Sequence, residues 1–239
     1  MSKYLKRELT IIVPAFNEEK KLRDTILDLI RISDNILEEY EIIIFDDGSS
    51  DQTNHIATKL ELEFDKVSLV THDINLGLAA SFREGISISK YAYICLIPGD
   101  GACSPDSLIP IFGSIGTSEL ILTNRANQKV ARSKLRYFIS KSFFYLFKNL
   151  FKLNVKDINS LGIYPVKRLR NIEIISSNWG FNLEILVKLM RLNTEYKIMD
   201  LDLIPEDHIV GSSLNRKFLL DIAKVTGHLL FQKDLSRKD

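Results

Sequence analysis

Short apolar runs rich in β-branched residues alternate with amphipathic stretches through the first half of the chain. LTIIV (9–13), YEIIIF (40–45), KVSLV (66–70), YAYICLI (91–97) and ELILT (119–123) each read as a strand. Between the first two, Leu22, Ile26, Leu29 and Ile30 fall on one face of a helix that Asn17 or Glu18 would begin. Strands apolar on both faces and separated by helices predict an α/β fold with a mostly parallel, Rossmann-like sheet covered on each side. In such a sheet any ligand lies in the crevice at the carboxyl ends of the strands. From about residue 130 onward the pattern is more helical. No repeat, low-complexity tract or Pro/Gly/Ser-rich linker divides the chain, so one domain, residues 1–239, is expected.

The strand ends are therefore where chemistry is sought. The first strand, closed by Pro14, runs into PAFNEE (14–19), and the second into DDGSSDQT (46–53), with Ser49, Ser50 and Asp51 as candidate helix caps. The third ends in THDINLGLAASFREG (71–85), where Asn75 is a candidate cap and Gly77, Ala79 and Ala80 would let a ligand approach the backbone. The fourth ends in IPGDG (97–101), one carboxylate between two glycines. Taken singly, each is also ordinary turn or cap chemistry. The adjacent Asp46 and Asp47 stand out, because pleating sends neighbours to opposite faces: one can serve the turn while the other accepts N–H groups of a base. Phe16 is either a core aromatic or a face for that base.

Composition removes alternatives. The 239 residues carry 32 Lys and Arg against 31 Asp and Glu, a balance without the positive field that gathers nucleic acid. Two cysteines, Cys95 and Cys103, make no disulfide framework and fit a reducing, cytoplasmic setting. No apolar run of about 18 residues occurs, and no signal-peptide pattern opens the chain, so neither a membrane span nor export is expected. A dinucleotide enzyme is disfavoured, since no G-x-G-x-x-G follows the first strand.

VPAFNEEKKL, FDDGSSDQT, NLGLAASFREGI and IPGDG follow the order and spacing of the family 2 glycosyltransferases, and DINSLGIYPVKRL and PEDHIVGSSL resemble the branch containing dolichol-phosphate mannose synthase and bacterial polyprenyl-phosphate relatives. The resemblance covers roughly residues 9 to 215. It implies a GT-A fold and an inverting transfer of a sugar from a UDP- or GDP-sugar. Pro14, Phe16, Glu18, Asp46, Asp47, Gly77 and Gly99 would lie around the nucleotide. Asp100 matches the last carboxylate of the family's DxD element and so would hold Mg²⁺ or Mn²⁺; Asp157 matches an aspartate near the reacting centre. Arg125, Arg136, His208 and Ser213 are the phosphate or acceptor candidates.

The chain departs from the family pattern at three places. Pro98 replaces the first DxD carboxylate, so metal held by Asp100 alone should bind weakly without the nucleotide's diphosphate, although magnesium commonly uses one or two protein carboxylates. His208 and Leu214 stand where the family has cations, with Arg125, Arg136, Arg216 and Lys217 as candidates to compensate. A hydroxyl acceptor would need a general base, whereas a phosphate monoester is already ionised at neutral pH. Whether Asp157 is a base, an acceptor-positioning group or a turn cap is left open by the residues. Residues 134–153 wind Lys134, Lys141 and Lys148 onto one face, with Phe and Leu opposite, which fits either a helix lying on a membrane surface or a core helix with a wet lysine stripe. The reading is a transferase peripheral to the cytoplasmic membrane face and acting on a polyprenyl phosphate; the alternatives are transfer to a glycan or soluble hydroxyl, and a catalytically weak nucleotide-sugar binder.

Overall fold

The computed structural model describes residues 6–127, 134–176, 180–204 and 216–231, with the backbone alone described at 134–137, 139 and 216–219. β1 (Glu8–Ala15), β2 (Glu39–Asp46), β3 (Val67–Thr71), β4 (Tyr93–Leu96) and β5 (Leu120–Arg125) form where the apolar runs predict them. Among the described residues they join β6 (Gly162–Pro165) and β7 (Tyr196–Leu201) in one sheet of order β3-β2-β1-β4-β6-β5-β7. β6 alone runs antiparallel to its neighbours, so β1 to β5 and β7 all point the same way and deliver their carboxyl ends to one edge.

Alternate residues of the central strands feed two cores. Leu9, Ile11 and Val13 of β1, with Ile42 and Ile44 of β2, pack under α1 (Leu22–Ile36), α2 (Thr53–Glu63) and α4 (Pro105–Gly113). Ile12, Ile43, Phe45 and Ile94 face the other way, toward α3 (Leu78–Ile88), α5 (Lys134–Leu150), α6 (Val166–Arg170), α7 (Phe181–Arg191) and α8 (Arg216–Phe231).

The second half is more helical, as its pattern reads, and it also adds β6 and β7 to the sheet; β6 is four residues closed by Pro165, and edge strand β7 mixes half-buried and exposed positions, so neither shows a clean strand period. The local expectations of helix starts are corrected. Neither Asn17 nor Glu18 begins α1: Asn17 has φ 58°, and the helix starts at Leu22 after Lys21. Gly77, at φ 85°, rather than Asn75, precedes α3, and Gln52 rather than Ser49, Ser50 or Asp51 precedes α2.

Candidate functional site at the carboxyl edge of the sheet

The loops after β1 and β2 are laced together. The Asn17 N–H donates to Ser49 Oγ (3.0 Å), the Ser50 N–H to Asn17 Oδ1 (2.9 Å), and the Glu18 N–H to Thr53 Oγ1 (2.7 Å). Asp51 accepts from the Thr53 N–H at 2.9 Å and from the Glu19 N–H at 3.3 Å. Polar residues that read as helix caps thus bind the neighbouring loop. Pro14 is buried one residue before the end of β1, and its carbonyl accepts the Gly99 N–H at 3.0 Å. Phe16 is 46% exposed at the lip of the edge, where a base could stack on it.

Asp46 and Asp47 are both buried, at 2% and 4% exposure, and both carboxylates receive donors. Asp46 accepts the Ser49 N–H (3.1 Å) and the Asn54 amide (2.8 Å). Asp47 accepts the Leu76 N–H (2.8 Å) and the Gly77 N–H (2.7 Å) and lies 2.7 Å from His72 Nδ1. Each aspartate therefore organises a loop of its own, Asp46 the start of α2 and Asp47 the start of α3, a greater structural share than the turn-and-crevice division predicts.

Asp100 is exposed beyond β4, and its Oδ1 accepts the Ala102 N–H at 2.9 Å. Gly101, at φ 70°, permits that turn. At Gly99 a Cβ would fit tightly, 3.2 Å from Leu22 Cδ1 and 3.4 Å from Ala15 Cβ. Glu18 comes to the same place. Partial burial, then the charges of Asp100 and Asp51, push its carboxyl up to about 7. Carboxylates crowded in this way are hard-oxygen donors of the kind that Mg²⁺ or Mn²⁺ takes. Among the described residues no group of three or more His, Cys, Asp or Glu forms a metal site by itself.

Across the edge, Arg125 at the end of β5 grips Asp157 through two hydrogen bonds, Nε to Oδ2 at 2.7 Å and Nη2 to Oδ1 at 2.8 Å, with both side chains buried. Burial opposes ionisation of Asp157, but the guanidinium outweighs it and holds the carboxyl below its usual range. The Asn159 N–H adds a third bond, at 3.0 Å. Glu184, another carboxylate of the second half, is wholly buried against Lys188 (2.7 Å) and the N–H groups of Ile175 and Ser176, which makes it a structural anchor. His208, Ser213 and Leu214 lie outside the described residues, as do the side chains of Lys134, Arg136, Arg216 and Lys217.

Helix α5 turns an unexpected face outward. Phe138, Tyr145 and Leu146 are 69%, 58% and 61% exposed, and Phe147 on the opposite side is buried. Lys141 and Lys148 flank the outward face, each with its ammonium 5.5 Å from the Phe144 ring centroid. Phe143, Phe144, Phe147 and Phe151 pack against the core, so the helix has the apolar core side that one reading expects, and the lysines run along one margin of an outward face that mixes Phe138, Tyr145 and Leu146 with Ser142 and Asn149. No described helix is long and apolar enough to cross a membrane.

Comparison with known proteins agrees with this geometry. Residues 10–179 match the family described as glycosyl transferase family 2. A dolichyl-phosphate beta-glucosyltransferase of Trichomonas vaginalis is 28% identical over 152 residues, 57% of this chain and 45% of that protein. The human dolichyl-phosphate beta-glucosyltransferase is 36% identical over 103 residues, 40% of this chain and 32% of that protein. The chain thus matches less than half the length of these relatives. Among solved structures, the glucosyl-3-phosphoglycerate synthase of Mycobacterium tuberculosis in complex with Mn²⁺, UDP-glucose and phosphoglyceric acid superposes with a TM-score of 0.69 at 13% identity, covering 92% of this chain and 80% of that one. That likeness concerns the fold.

Proposed function

The chain belongs to glycosyl transferase family 2, and from that premise we propose that it transfers a sugar from a UDP- or GDP-sugar to the phosphate of a polyprenyl lipid. The observation that carries the choice of acceptor is the Arg125–Asp157 pair. A carboxylate held below its usual range by a bidentate guanidinium is a poor base. An acceptor hydroxyl would need a base; a phosphate monoester arrives ionised. Asp157 then acts by fixing Arg125 at the edge.

The donor would lie across the ends of β1, β2 and β4, its base against Phe16 and the Asp46–Gly48 turn, and its diphosphate toward Asp100 and Glu18. Gly77 would bring the start of α3 close to it. Asp100, with Glu18 beside it, would hold Mg²⁺ or Mn²⁺, the diphosphate and water completing the ligand set. When bound, the ion neutralises charge on the departing diphosphate. The dolichyl-phosphate relatives and the exposed Phe138, Tyr145 and Leu146 of α5 with the lysines beside them support a lipid acceptor met at an anionic membrane surface. On this reading the protein works as a peripheral enzyme at the cytoplasmic face, residues 1–125 holding the donor and 126–239 the acceptor.

Turnover of UDP-glucose and GDP-mannose should be measured with a short polyprenyl phosphate and with the corresponding alcohol. The phosphate is expected to accept sugar from one donor in a metal-dependent reaction; equal transfer to the alcohol would contradict the acceptor assignment.

A further inference from the structure

His72 follows β3 directly, and its N–H donates to the Asp46 carbonyl at 2.9 Å, so its ring is fixed by the extension of the strand ladder. The ring is buried against Phe45, with centroids 5.8 Å apart. Each ring nitrogen meets a carboxylate: Nδ1 lies 2.7 Å from Asp47 Oδ1, and Nε2 lies 3.2 Å from Glu84 Oε2. A neutral imidazole has one donor and one acceptor nitrogen, whereas an ionised carboxylate only accepts, so both contacts are hydrogen bonds only when the ring carries two protons.

We propose that His72 is a positioning residue for the nucleotide crevice, an imidazolium clamped between Asp47 and Glu84 that makes donor affinity fall as pH rises. The inference rests on the crevice being the nucleotide site. Asp47 bonded to His72 gathers the Leu76 and Gly77 N–H groups, and this loop packs so closely on the turn that a Cβ at Gly48 would lie 2.8 Å from the Ile74 carbonyl carbon. The clamp therefore supports the wall on which the base would rest. The charged groups acting on the ring are Asp47 from the β2 turn and Glu84 from α3; the Asp46 carboxylate is held by Ser49 and Asn54, Asp73 follows in the chain, and Arg83 of α3 reaches the Ser176 carbonyl. Burial opposes protonation of His72, but the two bonded carboxylates outweigh it and hold the ring above the usual histidine range. Loss of the proton has two effects. Nδ1–H stays on buried Asp47, so the more exposed Glu84 must release Nε2, and α3 keeps the bonds at its start but loses this second tie. The wall also becomes more negative by one charge, which repels an anionic donor.

The test follows the His72 ring by NMR and nucleotide-sugar affinity by calorimetry across pH, in wild type, Glu84→Gln and His72→Gln. UDP-glucose and GDP-mannose serve as probes because neither contains a phosphate monoester that titrates in the neutral range. In the wild type the His72 resonance should titrate above about 6.5, and affinity should weaken about 3- to 10-fold across the same interval, the equivalent of one ordinary net hydrogen bond. Glu84→Gln, at a half-exposed position that tolerates the change, should move both transitions to lower pH; His72→Gln should abolish this affinity step. A titration shared by all three proteins belongs to other groups. Bound donor with the same pH profile in wild type and Glu84→Gln, or a His72 that titrates at or below the ordinary value, would overturn the proposal. Absence of donor binding at every pH would overturn the nucleotide site itself, and with it the pH effect on affinity, whatever the NMR titration shows.

Discussion

Glu18 and Asp157 are carboxylates at one sheet edge, and their surroundings drive them in opposite directions. Both feel burial, which favours the neutral acid. Beside Glu18 the further charges are Asp100 and Asp51, and the carboxyl rises to about 7. Beside Asp157 stands Arg125, and the carboxyl falls. Asp157 has its partner built into the fold, while Glu18 lies among like charges that a cation would relieve. On the proposed function the difference separates a scaffold charge from a binding charge, although both kinds of residue sit at the carboxyl ends of strands.

The largest consequence falls on the scaffold side. Asp157→Ala strands a buried guanidinium and should cost about 3–5 kcal/mol of stability, read from chemical denaturation; a loss below about 1 kcal/mol, the range of exposed pairs, would show the pair to be solvent-screened. Removing two charges at the margin of α5, Lys141→Gln with Lys148→Gln, should weaken partitioning onto anionic vesicles by about 2 kcal/mol, at about 1 kcal/mol for each basic residue. Equal partitioning of the folded variant would remove α5 from the membrane face.

The smallest effect sharpens the contrast from the other side. Glu18 binds its proton more tightly in the fold than in the unfolded chain, so its contribution to stability is complete below about 4.5 and is lost as pH rises toward about 7. Glu18→Gln should therefore leave stability unchanged near pH 4 and raise it near pH 8, by about 1 kcal/mol after solvent screening at this half-exposed position. Thermal melts at the two pH values check it, and a gain of equal size at both would refute the charge-crowding account.

Much of this edge was legible in the order of residues. Apolar runs placed β1 to β5, and polar residues at their ends marked the loops that converge, because parallel strands alternating with helices leave few other arrangements. Partners distant in sequence were not legible. Arg125 and Asp157 were each noticed, but nothing in their spacing says that one neutralises the other. His72 drew no attention, since its two carboxylates lie 25 and 12 residues away on different elements. The periodicity of α5 showed which residues share a face, while the packing of Phe147 decided which face meets the body. The cap misread at Asn17 has a physical cause: its short polar side chain bonds the neighbouring loop instead of a helix end.

The central claim of the proposed function is that Asp100 and Glu18 hold a cation jointly with the nucleotide. Calorimetric titration of UDP and GDP, each with and without Mn²⁺, into wild type and Asp100→Asn tests it most directly. Asparagine preserves an acceptor for the Ala102 N–H, so the fold should survive the change. The account predicts that Mn²⁺ tightens one nucleotide in the wild type, that the nucleotide tightens Mn²⁺ by the same factor, and that Asp100→Asn abolishes this coupling. Nucleotide affinity in the wild type that is indifferent to metal would contradict it.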